Sequence, residues 1–468
     1  MGYDLGVDLG GTTVVAAVLR DGEARAVAVG LGPDGAVTVP AVAHRGSDGV
    51  VRTGVDAERR AADEPDRVVR DVTARLGDDV PLVVGDEPWR ADDVAAEIVL
   101  AAVRRVAALE GGAARSLAVT HPAGWGPHRE RTLRRALVRV GPRPAALVGE
   151  PRAAVLAAST FGGLRAGRVA AVYDLGGRRF RAAVVRRGSR GAVTSGAEGA
   201  AAGTRTSAEV LADSGTPVRA GGTDIDGAVL AHVREELGEA FDSALAELDD
   251  DAARTALTAL RHATREAKER LSADTEADVA VELGTLATVV RVTRADLEAR
   301  ITPLVAATVD AFAGTLDAAG VDPDQIVLVG GSARVPLVAR LLAEELGRPV
   351  RPELDPVTVV AQGAALAAAE HAISRRQEAL GLPVPVAAGP ATSAFPTTAA
   401  PVPTTGGPTP APRTGAFPTT AVPGPATGAF PSAPPAPTAA APLSPEPGHR
   451  AAAGAAVAAG VALGASAA

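Results

Sequence analysis

Apolar and polar positions follow the same rhythm in two separate stretches of the chain. Tyr3–Val7 and Val14–Leu19 are short apolar runs around Asp8-Leu9-Gly10-Gly11-Thr12-Thr13. Ala170–Tyr173 and Phe180–Val185 flank Asp174-Leu175-Gly176-Gly177 in the same way. Each stretch reads as strand, tight glycine turn, strand. A glycine pair tolerates positive φ and lets backbone approach a ligand closely. Successive N–H groups in such a turn can cradle phosphate oxygens. Gly-Gly is also a common hairpin turn, so one copy alone predicts no more than a hairpin. Two copies predict two similar halves facing each other across a nucleotide.

Other segments fill in around these hairpins. Ala24–Val29 and Val37–Val42 extend the first sheet, and Ser116–Thr120 is a buried strand running into His121-Pro122. Val94, Ile98, Ala102, Val106 and Leu109 recur at helical spacing, with Asp92 or Asp93 placed to cap the helix and Gly111-Gly112 to end it. A strongly basic helix covers His128–Val140, and its charge reads as a solvated face. His121 and His128 stand alone and take no metal role. Gly221-Gly222-Thr223-Asp224-Ile225-Asp226 opens another helix, and Leu257–Leu271 is a charged amphipathic one. Thr293 and Asp296 form a capping box for Leu297–Leu316. Ile326–Val329 is a strand that enters Gly330-Gly331-Ser332, with Pro336 near the start of the Leu337–Leu346 helix and Gly347 closing it.

Composition narrows the possibilities. A chain of 468 residues exceeds one ordinary core. Aromatics make up only 2% against 47% hydrophobic residues, so alanine and valine must fill the core. A net charge of −8 does not favour nucleic-acid binding. Without cysteine there is no disulfide, thiolate nucleophile or cysteine zinc site. The N-terminal residues lack a secretory pattern, so the body is expected in the cytoplasm.

The three ordered glycine turns resemble the seventy-kilodalton heat-shock chaperones, within the actin-like ATPase superfamily. The resemblance covers about the first 372 residues, as a nucleotide-binding domain; the remaining 96 do not look like the family's peptide-binding domain. It implies an α/β fold of two lobes, each with a mixed sheet and helices, closing on a central nucleotide cleft. It also implies ATP or ADP as ligand, with Mg²⁺, client polypeptides as partners, and a part in the stress response. By the resemblance, Asp8 and Asp174 hold the hydrated metal region, and Glu150, in Glu150-Pro151-Arg152-Ala153-Ala154, orients the attacking water. Gly10, Gly11, Thr12, Thr13, Gly176, Gly177, Gly221 and Gly222 approach the phosphates. Lys268, Gly330, Gly331, Ser332 and Arg334 belong to the adenosine end.

Several positions depart from the family pattern. After Gly177 the family continues Gly-Thr-Phe-Asp, whereas this chain has Arg178-Arg179-Phe180-Arg181. Strand alternation puts Arg179 and Arg181 on one face, toward the phosphates unless a bulge turns them to solvent. Gly11 stands where the first hairpin carries a threonine. The place of the family's catalytic lysine falls at Thr73, with Arg70 near enough to substitute. Around Lys268 the usual flanking charges are exchanged, as Arg265 and Glu269, which preserves an ion pair four positions apart. Val357 stands where an acidic residue follows Pro356. The expectation is therefore a nucleotide site with weak or absent hydrolysis and reduced Mg²⁺ dependence. The alternative is a non-catalytic nucleotide-sensing scaffold or membrane-tethered regulator; a sugar kinase is a weaker third reading, since that group's cysteine-rich zinc motif is missing.

The final part of the chain is of another kind. Residues 373–449 read as a linker: 19 of the 36 prolines lie between Pro383 and Pro447, where Arg413 and Glu446 are the only charges. Three repeats centred on Ala394-Phe395-Pro396, Ala416-Phe417-Pro418 and Ala429-Phe430-Pro431 read as docking motifs or as repeat drift. Residues 451–468 carry no charge, and as a helix would reach about 27 Å, marginal for a bilayer.

Overall fold

Both glycine hairpins form, and each seeds a sheet. Tyr3–Leu9 and Thr13–Arg20 pair antiparallel, and Tyr3–Leu9 also pairs parallel with Ser116–His121, which pairs parallel with Ala146–Gly149. In the second sheet Val169–Leu175 pairs antiparallel with Phe180–Arg187 and parallel with Gln325–Val329, while Ala208–Asp213 forms the other edge. The two sheets thus share one plan, a hairpin with a parallel strand added beside its first arm. The computed structural model describes residues 2–61, 63–140, 145–188, 208–215 and 218–380. These described residues fall within one compact unit. The proline-rich stretch 383–447, the three repeats and the segment 451–468 lie outside the described residues. Among the described residues no helix is long and apolar enough to cross a membrane.

Each half has its own hydrophobic core. The first gathers Leu5, Val7, Val18, Ile98, Leu117 and Leu133; the second gathers Tyr173, Phe180, Phe312, Ile225, Leu271 and Val338. A third cluster joins the halves: Ala153, Ala154 and Ala157 of the Glu150–Phe161 helix and Val360, Ala364 and Ala368 of the Val359–Ala379 helix pack between the sheets. Small residues let these helices approach backbone to backbone. A Cβ on Gly363 would fall 1.8 Å from the Ala153 carbonyl oxygen, and one on Gly6 would fall 2.1 Å from the Ala365 nitrogen. Aromatic packing is sparse. Tyr173 meets Phe180 and Phe312 at 4.6 and 5.5 Å between ring centroids. Trp89 is buried under Arg45, and Trp125 stacks on His121 at 5.6 Å.

Some boundaries differ from expectation for local reasons. The Ala91–Glu110 helix has Arg90 at its N-cap, and Asp92 and Asp93 sit in its first turn, where they favour the positive end of the dipole rather than cap it. Leu109, counted on the apolar stripe, is 46% exposed. The amphipathic helix starts earlier than its apolar pattern, at Asp250, because the Asp249 side chain accepts from the Asp251 and Ala252 N–H groups. In the first sheet only Val27–Val29 and Thr38–Pro40 add to Thr13–Arg20; Val42–Arg45 belongs to a separate sheet with Val51–Thr53 and Val68–Arg70. The Thr293–Asp296 capping box forms and starts a helix over Arg294–Ala319.

Candidate nucleotide cleft

The two hairpin turns close identically and meet. Gly10 N–H donates to the Thr13 carbonyl at 3.1 Å, and Gly176 N–H donates to the Arg179 carbonyl at 3.2 Å. Register repeats as well, with Asp8 opposite Val15 and Asp174 opposite Arg181. A Cβ on Gly177 would lie 2.5 Å from the Thr12 side chain. Only glycine fits there, where the turn of one half touches that of the other. The third glycine turn docks onto the second: Gly330 has φ of +88°, and a Cβ on it would stand 2.3 Å from the Leu175 carbonyl oxygen. The Ser332 hydroxyl and the Gly222 N–H both donate to the Gly176 carbonyl, at 3.1 and 3.0 Å, and the Thr223 N–H donates to the Gly177 carbonyl at 2.7 Å.

One cleft results, and the residues assigned to the nucleotide site from the sequence line it, except Gly221 and Arg70. Gly221 lies just behind, where a Cβ would meet the Arg178 backbone at 2.6 Å. Three carboxyl groups share the floor, half-buried among protein atoms. Burial pushes the Asp8 carboxyl up to about 6; the Thr120 hydroxyl, donating at 2.6 Å, opposes this, and the Asp174 charge adds to it. Asp174 is also pushed up to about 6 by burial, with Arg181 pulling the other way. Glu150 rises well above the usual carboxylate range, first through burial and then through the Asp174 and Asp8 charges, again against Arg181. Arg181 therefore stands as the cation nearest in effect to two of the three acids.

A family model described as Hsp70 protein matches residues 79–382, more than half of the chain. This chain belongs to the Hsp70 family. It is 28% identical to the chaperone protein DnaK of Thermosipho melanesiensis, over 78% of this chain and 59% of that protein. It is 32% identical to the chaperone protein HscA of Pectobacterium carotovorum subsp. carotovorum, over 78% of this chain and 57% of that protein. DnaK of Nitrosopumilus maritimus is 26% identical, over 79% and 56%. The chain thus spans less than three-fifths of the length of these curated relatives. The two-lobed actin-like α/β fold is that of the family.

Within this Hsp70-type cleft the departures have definite partners. Arg179 and Arg181 do share the cleft. Arg179, however, is engaged: its Nη2 donates to Asp71 Oδ2 at 2.8 Å. Arg70 does not replace the missing lysine, because its guanidinium pairs with Glu58 outside the cleft lining. Thr73 lines the cleft as expected. The exchanged charges beside Lys268 do not pair with each other. Arg265 instead approaches Asp226 at 3.9 Å, and Lys268 Nζ sits 2.7 Å from the same carboxylate. Arg334 is held by Asp355 at 2.5 Å. Asp71 and Thr120 escaped the sequence reading; neither belongs to a glycine turn or a recognisable motif.

The residues present suit a polyphosphate ester. Three glycine turns converge where a Cβ would collide, and arginine side chains stand beside them. Among the described residues no cluster of three or more acidic or histidine side chains is placed to bind a metal directly. Asp8 and Asp174 could hold a hydrated cation through water, whose charge would offset the burial that raises both carboxyls.

Proposed function

We propose that the folded body binds ATP and ADP in this cleft, hydrolyses ATP slowly, and serves as the nucleotide module of a chaperone-like protein. The opposed hairpins carry the reading, since the Gly177–Thr12 contact brings two phosphate-sized glycine turns together. Gly10, Gly11, Gly176 and Gly222 would admit the phosphates, with Thr12 and Thr13 beside them. Lys268, Ser332 and Arg334 would border the adenosine. Glu150 would orient the attacking water, with Asp8 and Asp174 placed toward a hydrated Mg²⁺. That ion would supply charge neutralisation during phosphoryl transfer.

Slow turnover follows from the altered donors. Removing one well-placed electrostatic donor typically costs about 100- to 1000-fold in rate, and here Thr73 stands at the lysine's place. Arg181 beside Asp174 and Glu150 supplies charge that a metal would otherwise bring, so binding should depend less on Mg²⁺. Client polypeptides, and a partner for the proline-rich segment, would be the macromolecular ligands.

Calorimetric titration with ATP and ADP, with and without Mg²⁺, tests this. Measurable binding of both is expected, weakened only modestly without the metal. The double variant Arg179→Thr, Arg181→Asp should bind more weakly without Mg²⁺ and regain metal dependence. Unchanged affinity of that variant in both conditions would remove the charge-replacement idea. Rapid Mg²⁺-dependent hydrolysis by the unmodified protein would remove slow turnover.

A further inference from the structure

An acid occupies the ground between the two glycine turns. Asp71 comes from the first half, in the connection between Val68–Arg70 and Val72–Arg75. It holds a left-handed backbone, φ 50° and ψ 42°, uncommon for a residue other than glycine. Its carboxylate receives the Arg179 fork, at 2.8 Å from Nη2 and 3.5 Å from Nη1, and Arg178 Nε stands 4.0 Å away. The Thr73 hydroxyl donates to it at 3.5 Å. It also lies against the first turn, 3.0 Å from where a Gly11 Cβ would be. Both side chains of the pair are largely sheltered, with 27% of Arg179 and 16% of Asp71 exposed.

A guanidinium fork donates to two oxygens of a carboxylate or of a phosphoryl group with much the same geometry. We propose that Asp71 is an internal stand-in for a phosphoryl group, which occupies the Arg178–Arg179 subsite until a polyphosphate displaces it. The inference rests on reading the cleft as a nucleotide site. Displacement requires an anion that competes with Asp71 for the fork and tolerates its charge nearby. Asp71 thereby sets how many phosphates a ligand needs: a nucleoside without phosphates leaves the pair intact, whereas a chain of phosphates can reach the fork. Because the pair joins the two halves, the same event releases a tie across the cleft.

Asp71→Asn is the direct test, since asparagine accepts left-handed backbone and keeps the shape while losing the charge. Asp71→Gly, also suited to positive φ, serves as the second variant should the first fold poorly. ATP, adenosine and inorganic triphosphate are titrated without Mg²⁺ into each protein. Affinity for ATP and triphosphate should rise on the order of tenfold, and affinity for adenosine should not change. Adding Arg179→Gln to Asp71→Asn should cancel the gain; a purely structural effect of Asp71 would not depend on Arg179. If the unmodified protein binds ATP but Asp71→Asn gains nothing, the stand-in is wrong and the nucleotide reading survives. If the variants gain triphosphate binding while no form binds ATP, the nucleotide reading fails and the stand-in survives. A gain of equal size for adenosine, or no binding of any ligand by any form, overturns the stand-in.

Discussion

A carboxyl enclosed by protein and by other carboxyls keeps its proton at a pH where it would ordinarily be ionised. Asp8, Asp174 and Glu150 all shift upward, so between about pH 4 and 6 the folded protein binds more protons than the unfolded chain. The stability these groups confer is present in acid and is lost as pH rises through their raised values, about 6 for Asp8 and Asp174. Asp21 and Asp296 shift downward and act oppositely, at lower pH. Between pH 5 and pH 7.5 the ligand-free protein should therefore lose more stability than Asp174→Asn does, since His121 and His371, held low by burial, act oppositely but equally in both. Asp174→Asn removes one raised group and relieves the other two, so at pH 7.5 it should raise the melting temperature by about 2–4 °C. Thermal melts at the two pH values check this; a variant no more stable than the parent would contradict it. At this scale the sequence named the glycine turns and acids of the cleft, because these are local signals, but did not place Thr38, Val39, Pro40, Ser272 or Val360 there. It did not name Asp71, whose arginine partner lies 108 residues away, nor foresee that Arg265 would turn to Asp226. Those pairings depend on which strands lie side by side, and no run of residues states that.

Elements were legible where an apolar period and a stop signal agreed, as at Pro336–Leu346 between its proline and Gly347. They were less so where polar turns extend a helix past its apolar stripe, as at Asp250–Leu271. Aspartates near a helix start suit both the cap and the first turn, so Asp92 and Asp93 fitted either place in sequence. Nothing in the alanine-rich Val359–Ala379 segment announces its role, since Gly363 and its neighbours read as ordinary small residues. Contact with the Ala153 backbone gives that glycine its importance. Gly363→Ala should force the Glu150–Phe161 and Val359–Ala379 helices apart and destabilise the fold by at least about 3 kcal/mol. A urea titration should show a lower midpoint, and an unchanged midpoint would mean the helices can slide at little cost.

Across the whole molecule the tryptophans are unevenly placed. Trp89 and Trp125 both belong to the first half, and the second half carries the Tyr173–Phe180–Phe312 group instead. In the unmodified protein indole emission and far-ultraviolet ellipticity should change together in urea, because the third cluster couples the halves. In Gly363→Ala the two signals should separate; coincident curves there would show that the halves stay coupled without that helix contact.

The Trp125–His121 stack makes the protein its own optical pH probe. Burial and the Arg152 and Arg134 charges hold the imidazole below its ordinary range, against Glu130 and the Pro122 carbonyl. An imidazolium accepts an electron from excited indole, whereas the neutral ring does not. Emission from Trp125 should therefore dim on acidification with a midpoint below that of free histidine, and Trp125→Phe should abolish the step. His121 follows directly on Thr120, whose hydroxyl reaches Asp8. Light from a single indole thus reports the proton on His121, with no dye attached.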